Sequence, residues 1–271
     1  MLATPLVGPA DRIIAVASDG EVSAIDPVSG ARVWTLRLPV DEGQEALVLA
    51  TPIRIDELLI VAYQRVVAGR RVAHTVSVVD LALGQIHPDF PTVTLAANEP
   101  VAFNPPTQAS RAALAAIDRR VYVSLGNIQD IQPWHGWVFE LDLDAWRTGG
   151  SAISASLVTT PESDCGIPGS SGARERQCGG GIWAPAGPQV FAGELFVPTG
   201  NGQLDVPRGD FANTLLRVGP GLVFDPGCDA SCDVFDEDEP ATACLESCRN
   251  LFVPRLMPGQ SPIRPESGAC D

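Results

Sequence analysis

The sequence predicts an all-β fold made of repeated antiparallel sheets. One unit recurs along the chain: a short apolar strand, a turn, and a second strand that closes on Asp before a Gly-containing turn. No segment keeps the apolar period of a helix over several turns, which leaves strands as the main element. The clearest copy spans residues 13–34, where residues 22–26 alternate in polarity and end at Asp26. A turn at residues 27–30 and a third strand with Trp34 complete this copy.

Three further copies predict three more sheets of the same kind. Asp26, Asp80 and Asp142 close the second strands of the first three copies and are 54 and 62 residues apart. This spacing suits the four-stranded antiparallel blades of a β-propeller joined by long loops. We therefore expect the three aspartates at equivalent strand ends. The further copies comprise residues 58–62 with 76–84, 121–125 with 136–142, and 194–198 with 213–218.

About four blades can be counted, and closed propellers usually contain more. We therefore expect residues 1–224 to form an incomplete propeller that belongs to a larger ring, with a four-bladed ring as the alternative. In an incomplete ring the first or last sheet should expose an unpaired edge or an apolar face, which favours self-association. Residues 225–271 are expected to form a Cys-rich acidic insertion and a truncated tail. The acidic residues at 225–246 lack regular calcium-loop spacing, which favours a solvated loop over a cation site.

The composition excludes several classes of protein. A hydrophobic fraction of 45% is too high for a disordered chain. The formal charge of −15, with 18 scattered basic residues that are all Arg, argues against a nucleic-acid partner, because phosphate binding needs a basic face. No stretch of about 18 apolar residues is present, so no transmembrane segment is expected. Residues 1–5 have neither the basic nor the apolar region of a secretory signal.

Seven cysteines, clustered outside the predicted strands, indicate an oxidising compartment, and we expect a periplasmic or extracellular location. Two C-x3-C segments follow one another, the second within a predicted short helix at residues 241–252. A turn between them would bring the two segments together as two disulfides; a four-thiolate zinc site and free thiols are the alternatives. The expected pairs are Cys228 with Cys248, Cys232 with Cys244, and Cys165 with Cys178, which leaves Cys270 unpaired.

The most specific local pattern is a Gly-rich turn at residues 179–183, Gly-Gly-Gly-Ile-Trp, followed by Thr-Gly-Asn-Gly at residues 199–202. Together with the repeat, these residues resemble the quinoprotein dehydrogenases, the propeller enzymes that hold pyrroloquinoline quinone (PQQ) beside a calcium ion. The resemblance covers most of residues 11–220. It implies a cofactor site where the two patterns meet.

In that implied site, Trp183, presented by Gly180 and Gly181, would form the floor under the planar quinone. A flat apolar ring stacks well on a planar cofactor. Asn201 would supply an oxygen to the calcium ion, and Asp130 would stand in, slightly out of register, for the family's calcium-binding Glu. Plain packing between blades is the alternative role for this Trp.

Two departures from the dehydrogenase pattern weigh against catalysis. The family has two adjacent cysteines that press on the quinone, whereas this sequence has no Cys-Cys pair. The family's catalytic Asp would follow Asn201, where no matching motif occurs. His135 lies among tryptophans and is expected to pack rather than act as a base.

The chain also resembles noncatalytic quinoprotein-like repeat proteins, whose loops at one rim bind partner proteins. We therefore expect a binding or scaffold module, without a cofactor, for a protein partner or a small molecule at the propeller rim. The alternative is a PQQ- and calcium-dependent alcohol or sugar dehydrogenase, of which this chain would be a part. The shared fold cannot decide between the two, because function resides in the site and not in the fold.

Overall fold

The computed structural model describes residues 5–128, 133–163, 178–228 and 247–253. In these ranges the chain forms four larger antiparallel sheets and a separate two-stranded hairpin. One α-helix, α1 (Leu143–Arg147), lies wholly within these ranges. The fold is therefore all-β, as the sequence predicts. None of the helical segments within these ranges is long and apolar enough to cross a membrane.

The first two sheets follow each other along the chain. The first contains β1 (Leu6–Val7), β2 (Ile13–Val16), β3 (Glu21–Ile25) and β4 (Arg32–Arg37), paired in chain order. The second contains β5 (Glu45–Leu47), β6 (Ile53–Ile55), β7 (Leu58–Val67), β8 (Arg70–Asp80), β9 (Gln85–Ile86) and β10 (Val93–Thr94). Both β5 and β6 pair with β7, and both β9 and β10 pair with β8, so this sheet is also four strands wide.

The third and fourth sheets repeat the same antiparallel order. The third contains β11 (Gln108–Ala109), β12 (Ala115–Ile117), β13 (Arg120–Asn127), β14 (Trp137–Asp142) and β15 (Ile153–Val158), with β11 and β12 both paired to β13. The fourth sheet, whose central strands are separated by a small hairpin, completes the set. The fourth sheet contains β16 (Gln189–Phe191), β17 (Glu194–Pro198), β20 (Leu215–Val218) and β21 (Leu251–Phe252). The separate hairpin of β18 (Leu204–Asp205) and β19 (Asp210–Phe211) lies between β17 and β20 in the chain.

The three aspartates of the repeat occupy equivalent strand ends, which confirms the prediction. Asp26 directly follows β3, while Asp80 and Asp142 are the last residues of β8 and β14. In each case Oδ1 accepts hydrogen bonds from the backbone N–H groups two and three residues later, at 2.7–3.1 Å. A short acidic side chain stabilises a turn in this way by satisfying backbone donors as the chain leaves the strand. After Asp142 the turn continues into α1 instead of a Gly turn.

Each sheet packs on the next through its own apolar cluster. Side chains alternate between the two faces of a strand, so Leu59 and Val61 face the first sheet while Ile60 and Val78 face the third. The third sheet packs on the fourth through its opposite face, which includes Tyr122. Such two-sided burial is how successive propeller blades stack. It also explains the continuous apolar runs in the sequence.

Trp34 of the first sheet packs on Gly84 of the second sheet. Gly84 follows β8, and a Cβ atom placed there would lie 2.5 Å from Cγ of the Trp34 indole. Gly84 also has a φ of +66°, which L side chains rarely adopt. Glycine is therefore required at this turn both by its backbone conformation and by the ring that covers it.

The outward faces of the two end sheets expose apolar side chains. In the first sheet Val7 and Ile13 are 64% and 37% exposed, and in the fourth sheet Phe191 and Phe252 are 72% and 42% exposed. None of these residues belongs to the three apolar clusters of the described residues. Exposed apolar side chains of this kind are what the prediction expects on an end sheet, and the same faces also carry ion pairs such as that of Arg217 with Glu194.

The C-terminal part of the described chain is tied to the fourth sheet. Cys228 and Cys248 form the predicted disulfide. Leu251–Phe252 pair with β20 as a strand, so the prediction of a helix as far as residue 252 is wrong. Pairing with an exposed sheet edge outweighs local helix preference there. The predicted Cys232–Cys244 pair lies outside the described residues, and Cys178 is disulfide-bonded while its predicted partner Cys165 also lies outside them.

Candidate functional site

The Gly-rich segment 179–183 runs along the end of the third sheet. Gly136, just before β14, donates its N–H to the carbonyl of Gly179 at 2.8 Å. Ile182 donates its N–H to the carbonyl of Leu125 in β13 at 3.2 Å. One side of the segment is thus hydrogen-bonded to the third sheet.

The other side of the same segment is hydrogen-bonded to the loop after β17. Gly180 donates its N–H to the carbonyl of Asn201, and Gly200 donates its N–H to the carbonyl of Gly181, both at 2.8 Å. The segment therefore joins the third and fourth sheets through backbone hydrogen bonds on both of its sides. It also brings the two sequence patterns of the predicted site side by side.

Close packing explains why Gly180 is a glycine. Its φ is +68°, and a Cβ atom there would lie 2.4 Å from Oγ1 of Thr159. The Thr159 hydroxyl donates to the carbonyl of Gly180 at 3.0 Å, so it holds the segment in this position. A side chain at Gly180 would require this buried contact to break.

Trp183 packs between glycines of the two sheets. A Cβ atom at Gly126 of β13 would lie 2.5 Å from Cε3 of its indole, and one at Gly200 would lie 2.5 Å from Nε1. The indole also contacts Trp134, with ring centroids 5.2 Å apart and planes inclined by 45°. Trp134 is buried, whereas Trp183 is half-buried. The indole thus serves inter-sheet packing and keeps part of its surface exposed.

The structure places the indole of Trp183 against the loop that carries Asn201, since Gly200, the residue before Asn201, touches the indole. Asn201 has an exposed side chain. Asp130, the second predicted metal ligand, lies outside the described residues. The cofactor and metal roles of these residues stay predictions.

The described residues do not provide a calcium shell. Among them, no group of three or more His, Cys, Asp or Glu side chains could hold a metal ion. Calcium takes about six to eight oxygen ligands, whereas this part of the site offers the one side-chain amide oxygen of Asn201. The described part of the site therefore does not by itself fit the ion.

His135 is buried beside the segment, as the sequence predicts. Its Nδ1 lies 3.0 Å from Oγ1 of Thr160, and the Thr160 hydroxyl lies 3.0 Å from the carbonyl of Gly179. Burial lowers the pKa of His135, so the imidazole is held neutral. Its contacts are those of a packed side chain that supports the Gly-rich segment.

Asp210 is a buried carboxylate that sequence reasoning missed. It is 1% exposed and accepts the N–H of Glu162 at 2.9 Å, while burial raises its pKa. The next residue, Phe211, donates its N–H to the carbonyl of Thr159 at 2.7 Å. Asp210 therefore anchors the β18–β19 hairpin to the third sheet. Nothing in its sequence neighbourhood distinguishes it from an exposed loop acid.

Two clefts lie away from this site. One, of about 370 Å³, is lined by Tyr122 and by arginines that are already paired, such as Arg119, whose Nε lies 2.7 Å from Asp144. The other, of about 260 Å³, lies between the segment that follows β4 and the second sheet. Neither is lined by Trp183 or Asn201.

Comparison with solved structures finds the same architecture in larger proteins. A quinohemoprotein alcohol dehydrogenase from Pseudomonas putida HK5 matches with a TM-score of 0.54 and 15% identity, over 82% of this chain and 33% of that chain. The quinohemoprotein alcohol dehydrogenase from Comamonas testosteroni matches with a TM-score of 0.53 and 17% identity, over 82% and 34%. A europium-containing methanol dehydrogenase matches with a TM-score of 0.53 and 13% identity, over 82% and 41%. No family model and no curated protein matches the sequence.

At such low identities the likeness establishes the fold alone. The chain is a β-propeller that resembles the quinoprotein type, with four successive blade-like sheets. It spans 33–41% of the length of these three solved chains.

Proposed function

We propose that this chain is an exported quinoprotein-like propeller that acts as a binding or scaffold module at its rim. The observation that carries this proposal is that the Gly-rich segment 179–183 joins the third and fourth sheets. Gly180 and Gly181 are hydrogen-bonded to the loop of Asn201, and the Trp183 indole packs on glycines of both sheets. The residues that would hold a quinone in an enzyme thus have a structural use here.

The disulfides support the proposed location. Cys228 is bonded to Cys248, and Cys178 is also disulfide-bonded. Disulfides persist in oxidising compartments and are rare in the cytosol. We therefore propose a periplasmic or extracellular site of action.

The domain division is part of the same proposal. Residues 1–224 would form the propeller body, and residues 225–271 an acidic Cys-rich region. Through β21 this region adds an edge strand to the fourth sheet, so it would be fastened to the body at that point. The coverage of the larger solved chains supports a place in a larger ring.

A PQQ- and calcium-dependent alcohol or sugar dehydrogenase, of which this chain would form a part, is the second candidate. The observation that favours it is the contact of the half-buried Trp183 with Gly200, next to Asn201. A quinone stacked on the exposed part of the indole would lie near the Asn201 amide. The binding proposal and the enzyme proposal differ in whether this surface takes PQQ.

Calcium-dependent titration of the purified chain with PQQ, followed by tryptophan fluorescence and by calorimetry, separates the two candidates. We expect weak binding or none, because the described donor set does not complete a calcium shell. Saturable micromolar binding that is lost in both Trp183→Phe and Asn201→Ala would favour the dehydrogenase. Trp34→Phe is the matched control, since Trp34 also packs on a glycine of the neighbouring sheet.

A further inference from the structure

Asn201 and Gly202 form the one Asn-Gly pair in the sequence. In such a pair the backbone nitrogen of the glycine can attack the side-chain amide carbon of the asparagine, because glycine has no side chain to hinder the approach. Whether this happens in a folded chain depends on the exposure and hydrogen bonding of the two reacting groups. The reaction needs only water as a reagent, so it is independent of the function proposed above.

Both reacting groups are free within the described part of the chain. The Asn201 side chain is exposed, and its amide makes no hydrogen bond to any described residue. Gly202 is partly exposed, and its N–H has no acceptor among the same residues. The Gly202 nitrogen can therefore lose its proton to solvent without giving up a hydrogen bond.

Other asparagines are protected by their contacts or by the residue that follows them. At Asn213 the amide donates to the carbonyl of Gly202 at 3.2 Å, and the next N–H, that of Thr214, donates to a threonine hydroxyl at 2.9 Å. The amide of Asn250 donates to a backbone carbonyl at 2.8 Å. Asn98 is exposed, but the residue after it is a glutamate, whose side chain hinders the attack.

The one Asp-Gly pair, Asp19–Gly20, is a second contrast, because it can form the same ring by loss of water. The N–H of Gly20 donates to the carbonyl of Ala17 at 3.1 Å, so the attacking nitrogen is occupied. The backbone N–H of Glu21 and the guanidinium of Arg37 lower the pKa of Asp19. The carboxylate thus stays ionised, and an ionised carboxylate is a poor target for a nucleophile. The fold therefore protects this pair and leaves Asn201–Gly202 open.

We propose that Asn201 is a site of spontaneous deamidation in the folded chain. The Gly202 nitrogen loses its proton and bonds to Cγ of Asn201, while the Cγ–Nδ2 bond breaks and Nδ2 leaves as ammonia. The product is a cyclic imide. Water then adds to one of the two ring carbonyls and cleaves its bond to the Gly202 nitrogen. Cleavage at Cγ leaves aspartate, and cleavage at the main-chain carbonyl leaves isoaspartate.

Isoaspartate disturbs the junction between the third and fourth sheets. The carbonyl of Asn201 accepts the N–H of Gly180 at 2.8 Å, and a Cβ atom at Gly202 would lie 2.8 Å from Cα of Gly179. Isoaspartate adds a methylene to the main chain before Gly202 and converts the former carbonyl into a free carboxylate. Packing this close leaves no room for a longer main chain, so the loop must move away from the Gly-rich segment. The modification weakens the junction and adds one negative charge.

Peptide mapping by mass spectrometry after incubation of the 271-residue chain tests the proposal, in native buffer and in guanidinium chloride, at pH 8 and pH 6. We expect deamidation at Asn201 in the native chain at a rate comparable to that in the denatured chain, and faster at pH 8, because the attacking nitrogen must lose its proton. Isoaspartate at Asp19 should form only in the denatured chain. Asn201→Gln should abolish the product, since its larger ring closes more slowly, whereas the matched control Asn98→Gln should retain it.

The isoaspartate fraction, separated by anion exchange, tests the effect on the junction. Its Tm should be lower than that of the unmodified chain, and its hydrogen exchange should be faster at Gly180 but unchanged at Val78 of the second sheet. Asn201→Asp, which has the charge without the longer main chain, should keep the wild-type exchange rate at Gly180. Absence of deamidation at Asn201 in the native chain would overturn the proposal. So would an isoaspartate fraction with the Tm and the Gly180 exchange rate of the unmodified chain.

Discussion

Gly30 and Gly84 occupy equivalent turns after Asp26 and Asp80, with φ angles of +70° and +66°. They differ in what a side chain would meet. A Cβ atom at Gly30 has no neighbour within 4 Å, whereas one at Gly84 would lie 2.5 Å from the indole of Trp34. The pair therefore separates the backbone cost of a positive φ from the cost of disturbing the contact between two sheets.

Gly30→Ala should lower the free energy of unfolding by about 1–2 kcal/mol, the cost of a left-handed conformation for an L residue. Gly84→Ala should lose about 1–3 kcal/mol more, because the indole must move. Urea denaturation of both variants measures the difference. Equal losses would contradict a tight Trp34–Gly84 contact.

His74 is a buried histidine in the second sheet that the sequence does not single out. Its Nε2 lies 3.2 Å from the carbonyl of Pro105, and its ring meets the edge of Phe103 with centroids 5.6 Å apart. Burial lowers the pKa of His74 from 6.5 to about 4, with the nearby Arg71 contributing in the same direction. The folded chain therefore keeps His74 neutral under conditions in which the unfolded chain protonates it.

Acidification should destabilise the fold through His74. Between pH 6.5 and about 4 the unfolded state binds a proton that the folded state does not, so stability falls as the pH falls. This group contributes up to about 3 kcal/mol at 1.36 kcal/mol per pKa unit. Denaturant titrations at pH 7 and pH 4.5 should show a smaller pH difference for His74→Gln than for wild type. His87→Gln, at the turn after β9, is the control and should keep the pH difference of the wild type. A wild-type pH difference in His74→Gln would refute the assignment to His74.

The long elements were predictable because their signals are local. Alternating polarity, apolar runs and the Asp-ended strands of the repeat identified the central hairpin of each of the first three sheets. The edge strands were harder. In the second sheet two short strands share each edge, and this arrangement depends on contacts between distant residues.

The structure of the C-terminal segment was equally hard to predict from the sequence. The segment that ends in β21 has the composition of a short helix, yet Leu251 pairs with Leu216 of β20. A long-range partner decided its structure. In the candidate site, the meeting of the Gly-rich segment with the loop of Asn201 followed from the resemblance. The burial of Asp210 could not be predicted in this way, because it depends on the path that brings its loop back to the third sheet.

The Cys228–Cys248 disulfide controls how β21 joins the fourth sheet. It closes a sequence separation of 20 residues, for which chain entropy predicts about 3 kcal/mol of stabilisation. The Cys228→Ser, Cys248→Ser double variant should lose about that amount in urea denaturation. Hydrogen exchange should speed up at Arg217, whose N–H donates to the carbonyl of Asn250 just before β21 at 2.8 Å, and stay unchanged at Val61 in the second sheet. Uniform acceleration in both sheets would contradict a local role for this link.

At the scale of the whole molecule, the exposed outer faces of the end sheets favour association between copies. Phe191 and Phe252 lie on one such face, at 72% and 42% exposure. Sedimentation at increasing concentration should show an average mass above the 28.5 kDa of one chain. Phe191→Asp should shift the chain toward that single-chain mass.

Val28 provides the control for this test. It is 94% exposed but lies in the turn after β3, away from the outer faces. Val28→Asp should leave the mass distribution of the wild-type chain unchanged. If both variants behave like wild type, the outer faces do not drive association.

The stacking of the sheets also determines how the molecule comes apart. In the described part of the chain, apolar clusters join the first sheet to the second, the second to the third, and the third to the fourth. The two inner sheets thus have two supporting interfaces, and the end sheets have one each. The free energy of unfolding is then approximately the sum of the intrinsic stability of each sheet and the energy of each interface between successive sheets. Under mild denaturing conditions the molecule should fray from its ends, and the second and third sheets should form the last cooperative unit to melt.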